Sequence, residues 1–239
     1  MDEALRRSMY ANLRESHPAL FANPPGAAFE ILTEPVEVRA AEEARATDLA
    51  EAGMPAFMAE TGVVYADPFF MVVRDAVRTP AGSLGTYSRV ISAGNAIGVV
   101  ILPQVGEGIV LVHHFRHSTR TWHLEIPRGF GMPGSDPVDD ARRELLEEIG
   151  VSATALHDLG EVYPDSGAMG SPVRLFYAEV SDPPSAADQE EGIDAIRIVS
   201  PGELGRMIRD EEITDGFTIT AYTRALLRGL LPASAPETL

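Results

Sequence analysis

From Gly62 onward, short β-branched and apolar runs alternate with turn-forming residues. This pattern predicts strands over 63–65, 69–77, 86–92, 97–103, 108–114 and 123–126, and again over 155–162, 173–180 and 195–199. Residues 80–82 read as a turn, and 105–108 as a hairpin turn. Ala-, Glu- and Arg-rich stretches predict helices over 4–15 and 37–58, interrupted by the three prolines between His17 and Gly26. A third helix is predicted over 137–149, and two more, 201–210 and 214–230, close the chain. Strands and helices mixed in this way, without a regular βαβ repeat, predict an α+β fold with a mixed sheet. The expected organisation is a helical extension over 1–58, a main domain over 59–233 and a frayed tail over 234–239.

Of these elements, the helix over 137–149 is the best punctuated. Ser135 or Asp136 can cap its start, and Pro137 suits the first helical position. Gly150 can end it in the left-handed conformation. Val138, Ala141, Leu145 and Ile149 form one apolar stripe that must pack on the sheet. Glu144, Glu147 and Glu148 lie away from that stripe, within an arc of roughly 100°. Three carboxylates on one patch read either as a solvated acidic face or as a cation site. Arg143 is spaced to pair with Glu147.

Composition narrows the chemistry. The chain has 239 residues, with 19 basic against 36 acidic side chains and a net charge of −17. Such a balance argues against a nucleic-acid surface, which carries a basic stripe. A small anionic substrate fits only if a cation offsets the local charge. Cysteine is absent, which removes disulfides and thiolate chemistry. Lysine is also absent, so Schiff bases and a phosphate-loop lysine are excluded. The longest apolar runs, such as 97–103, fall far short of the ~20 residues that span a bilayer, so no membrane segment is expected. The start has no basic stretch followed by an apolar one, so a cytoplasmic location is expected.

The flanks of the third helix carry a resemblance. Gly129, Arg143, Glu144, Leu145, Glu147, Glu148, Gly150 and Val151 fall where the signature of the Nudix hydrolases needs them. The lead-in Trp122-His123-Leu124-Glu125-Ile126-Pro127-Arg128-Gly129 resembles that of the ADP-ribose pyrophosphatase branch. The resemblance spans about residues 62–230. One position departs: Ser135 stands where the signature has its first glutamate, with Asp136 adjacent. The resemblance implies a Nudix fold, a mixed sheet sandwiched between helices, and hydrolysis of a diphosphate linkage in a nucleoside diphosphate derivative. ADP-ribose or a nucleotide sugar is the expected substrate, with Mg²⁺ or Mn²⁺ as cofactor and a homodimer as the assembly. It implies that Glu144, Glu147, Glu148 and the Arg128 carbonyl hold metal and that Arg143 orients the helix carboxylates. It further implies that Arg116 and Glu125 serve substrate binding and that Glu190 or Glu191, in a later polar loop, activates water.

The chemistry agrees with this reading. A diphosphate is flanked by negative oxygens, so attack by water needs charge neutralisation and alignment. Hard divalent cations on carboxylates supply both. The alternative is a binding module of the same fold that senses a nucleotide sugar without cleaving it. Tyr163-Pro164-Asp165-Ser166-Gly167 stands where the branch has a Ser-Pro-Gly turn, and that motif is not intact. Gly129-Phe130-Gly131-Met132-Pro133-Gly134 also matches a dinucleotide fingerprint, but Pro133 and Pro137 delay the helix and no βαβ unit surrounds it. His113, His114 and His117 form a short cluster, yet strand alternation points His113 and His114 to opposite faces.

Overall fold

The computed structural model describes residues 2–184 and 190–232. The expected tail over 234–239 lies outside them, as does the 185–189 part of the polar loop. The chain divides into two compact units, one of residues 1–95 with 165–171, the other of 96–164 with 172–239.

The first unit holds helices α1 (Glu3–Ser16) and α2 (Pro35–Glu51) and an antiparallel sheet of β1 (Glu30–Leu32), β2 (Gly62–Ala66), β3 (Phe70–Arg78) and β4 (Leu84–Ser92). Alternation along β3 assigns its faces. Val73 packs with Leu13 of α1, Phe21, Val63 and Ile91, while Ala76 packs with Leu32 and with Ala41 of α2. The expected boundary near residue 59 therefore falls inside this unit. Strands β2, β3 and β4 join β1 in a sheet of their own, so residues 1–58 are part of an α/β layer and not a purely helical extension.

The second unit is built on a seven-stranded mixed sheet. Its strands are β5 (Gly98–Val105), β6 (Gly108–Arg116), β7 (Thr121–Glu125), β8 (Arg128–Gly129), β9 (Ala153–Val162), β10 (Val173–Val180) and β11 (Ile193–Val199). The backbone order is β11-β6-β5-β10-β9, with β7 on β6 and β8 on β5. Among the described residues of this sheet, only β10 and β5 pair in parallel. Helix α3 (Pro137–Ile149) covers one face, and α4 (Pro201–Arg209) and α5 (Gly216–Leu227) the other. Strand β5 shows how the sequence dictates this: Val99 and Ile101 pack toward Ala141, Leu145 and Ile149 of α3. Val100 and Leu102 pack toward Leu204, Met207, Tyr222 and Ala225. A strand buried on both faces is an unbroken apolar run, as residues 97–103 are. The mixed sheet sandwiched between helices is thus realised in this unit.

Candidate active site

Helix α3 begins and ends where its punctuation predicts. Asp136 is the cap: its carboxylate accepts the Val138 N–H at 2.8 Å. Gly150 closes the helix at φ 69°. Ala141, Leu145 and Ile149 are fully buried, but Val138 is 38% exposed, so the apolar stripe starts one turn later than expected. Ser135 is exposed in the turn before the cap and takes no part in the carboxylate patch.

The three helix glutamates are not equivalent. Glu144 and Glu148 are buried against β8, and Glu147 is exposed. Arg143 pairs with Glu144 at 2.7 Å and with Glu147 at 2.5 Å, and donates to the Phe130 carbonyl at 3.0 Å. It thereby ties the helix to the loop that precedes it. A Cβ at Gly129 would collide with the Glu144 carboxylate, so glycine at this position creates the seat for that side chain. A Cβ at Gly131 would meet the Ile97 carbonyl, which explains the second glycine without any dinucleotide.

A second charge cluster faces the same region. Glu125, the last residue of β7, is fully buried. It accepts from Arg116 Nε at 2.8 Å and from a terminal Arg116 nitrogen, and from Arg128 Nη2 at 3.3 Å. His114 Nδ1 lies 3.5 Å from it. The expected pair Arg116 and Glu125 is thus one ion pair, with Glu125 holding the guanidinium and not reaching solvent itself. Burial, with the Arg116 and Arg128 charges, pushes the His114 imidazole down to about 4. His113 instead pairs with Asp194 at 2.7 Å and stacks on Trp122 at 4.7 Å. The two histidines do point to opposite faces.

Electrostatics single out Glu148. Desolvation, reinforced by the Glu144 and Glu191 charges, pushes its carboxyl up to about 8, against the weaker opposing pull of Arg116 and the Arg128 amide. Glu144 is raised as well, by burial first. Both Glu148 oxygens are buried without a hydrogen bond of normal geometry. Burying an unpartnered carboxylate beside another costs several kcal/mol, roughly, unless it takes a proton or a cation. Two buried, oxygen-only side chains one helical turn apart fit a hard divalent cation. Among the described residues no group of three or more His, Asp or Glu side chains stands ready-assembled as a cage. Arg143 occupies Glu144 and Glu147 as a counter-charge.

Glu191 is among the main charges acting on both Glu144 and Glu148. Glu191 adjoins Gly192, whose carbonyl accepts the Phe115 N–H at 3.0 Å, so it leaves from an anchored point of the sheet. Sequence reasoning missed Asp140, buried and accepting the Met132 N–H at 3.2 Å, and Asp215, which binds Arg128 Nη1 at 3.1 Å. Asp215 precedes Thr218 in a helix-capping pattern, but nothing in the local sequence points it at Arg128.

Comparison with known proteins bears on the family and the fold. The model of the NUDIX domain matches residues 93–218. That match starts close to the boundary between the two units and not near residue 62. An ADP-ribose pyrophosphatase of Bacillus subtilis is 29% identical over 139 residues, which cover 56% of this chain and 75% of that protein. A GDP-mannose pyrophosphatase of Cronobacter sakazakii is 26% identical over 153 residues, 59% of this chain and 78% of that one. A solved structure of an ADP compounds hydrolase shares the fold, with a TM-score of 0.61 and 22% identity over 71% of this chain and 92% of its own.

Proposed function

The chain belongs to the NUDIX domain family, and on that premise we propose that it hydrolyses the diphosphate linkage of a nucleoside diphosphate derivative, ADP-ribose or a nucleotide sugar, with Mg²⁺ or Mn²⁺ as cofactor. The observation that carries the reading is Glu148, buried, 1% exposed and, among the described residues, without a hydrogen bond of normal geometry, beside the buried Glu144. Glu144 and Glu148, with Glu147 and the Arg128 carbonyl, would hold the cation. When bound, such a cation neutralises the diphosphate oxygens and lowers the pKa of water.

The remaining steps belong to the chain's own side chains. Arg116, fixed by Glu125, presents a guanidinium suited to paired contacts with a phosphoryl group. Glu190 or Glu191 accepts a proton from the attacking water, and the Glu191 charge acts on both Glu144 and Glu148. The water oxygen bonds to phosphorus and the bridging P–O bond breaks, leaving two monophosphates. Arg143 keeps the helix carboxylates aimed at the loop. A homodimer, on the strength of the family resemblance, and a cytoplasmic setting are part of the same proposal. No described helix is long and apolar enough to cross a membrane.

The test is incubation with ADP-ribose, GDP-mannose and other nucleoside diphosphate compounds plus Mg²⁺ or Mn²⁺, reading monophosphate release. Removing groups that merely support metal ligands costs ~10–100-fold, so Glu148→Gln should lose ~10²-fold or more on the best compound. Equal rates for parent and variant contradict the site assignment. The sensor reading draws support from Ser135 and from Tyr163-Pro164-Asp165-Ser166-Gly167, where the branch's turn motif is not intact. It gains if no compound is cleaved but one raises the melting temperature.

A further inference from the structure

The loop that seats Glu144 is held from behind by the N-terminus of α5. Asp215 caps that helix, its Oδ2 accepting both the Thr218 N–H and the Thr218 hydroxyl at 2.8 Å. Thr218 is fully buried, and its Oγ1 in turn accepts the Ile126 N–H at 3.1 Å. The other Asp215 oxygen, Oδ1, takes Arg128 Nη1 at 3.1 Å. Arg128 lies 5.0 Å over the Phe217 ring and gives Nη2 to Glu125. One carboxylate thus grips both neighbours of Pro127, the Ile126 amide through Thr218 and the Arg128 side chain directly. The Pro127 carbonyl is fixed by the Ile101 N–H at 2.9 Å. The next residue, Gly129, is the one against which the Glu144 carboxylate is seated.

We propose that Asp215 is a positioning residue for the reaction, acting through Thr218 and Arg128 to set the 126–129 segment against Glu144 and Glu148. The proposal rests on the hydrolase reading above for its kinetic consequences, but not for its consequence for cation binding. The geometry explains why a helix on the opposite face of the sheet matters to α3. Its capping carboxylate adds a second attachment to a segment that β8 already pairs with β5. Partners that orient metal ligands in this way are worth ~10–100-fold in affinity or activity.

The test uses the full chain and Asp215→Asn, which keeps a good helix cap but removes the charge facing Arg128. Mn²⁺ affinity is measured directly by spectroscopic titration without substrate, and kcat and KM on the best compound. The expected result is a melting temperature close to the parent's, Mn²⁺ binding weakened ~10-fold, and kcat reduced ~10-fold at nearly constant KM. Arg128→Gln should give a similar loss. The double variant should be no worse than either single one, because both break one linkage. Mn²⁺ affinity within twofold of the parent in Asp215→Asn overturns the proposal. So do losses that multiply in the double variant, which would mean that the two residues act independently. If the parent cleaves nothing, the hydrolase reading fails while the Mn²⁺ titration and the double-variant comparison still decide the role of Asp215.

Discussion

Gly129 shows what one missing methyl group does at this site. The Glu144 carboxylate occupies the space that a Cβ would take, so an alanine there obliges that side chain to move. Gly129→Ala therefore displaces a proposed metal ligand. Overpacking of this kind typically costs about 1–3 kcal/mol of stability. The expected outcome is a modest fall in melting temperature together with an activity loss of ~10-fold or more, since misplacing a reacting group by about 1 Å can cost ~10²-fold. Activity within twofold of the parent would show that Glu144 does not need that seat. Glu125 makes a related point. It is fully buried, yet Arg116 and Arg128 donate to it, whereas among the described residues Glu148 has no donor of normal geometry. Two buried glutamates in one unit are thus distinguished by their partners alone.

At the scale of elements, α3 presents two carboxylates to a buried face, and its packing on the sheet sets their protonation. Folding raises the Glu148 carboxyl from its ordinary 4.5 to about 8, with desolvation as the first cause. Between those values the native chain holds a proton that the unfolded chain releases, so stability from this group falls as pH rises from about 4.5 to 8. The effect is on the order of a few kcal/mol. Metal-free protein should therefore lose melting temperature relative to Glu148→Gln across that interval, as read by calorimetry over a pH series. Parallel curves for the two proteins would contradict the assignment. Much of α3 was legible in advance. Its bounds, its Asp136 and Gly150 ends and the buried Ala141, Leu145 and Ile149 follow from capping rules and periodicity. What periodicity could not show was that Glu144 and Glu148 are buried. Helical spacing locates a side chain on a face but does not say what covers it. Strands β1 and β8, of three and two residues, were invisible because alternation needs length to be seen. The contact between Ile126 and Thr218 joins residues 92 apart in sequence, and only the folded sheet brings them together.

For the whole molecule, the lesson lies in the division of the chain. Composition changes near residue 62, where helix-rich sequence gives way to strands, and that change suggested a domain boundary. The units divide at residue 95 instead, because β2, β3 and β4 pair with β1 and share the cores of α1 and α2. Pairing partners, not composition, decide where a sheet belongs. The net charge of −17 acts at this scale as well. An acidic protein repels an anionic substrate at long range, so local cation binding must overcome the field of the whole chain. The claim that Glu144 and Glu148 hold a divalent ion is thus the point on which the functional account turns. Anomalous diffraction from crystals soaked in Mn²⁺ with a nucleoside diphosphate compound tests it most directly. The account predicts a metal peak in contact with the carboxylates of Glu144 and Glu148, with Arg143 withdrawn from Glu144. A peak elsewhere, or none with nucleotide bound and Arg143 still on Glu144, would contradict it.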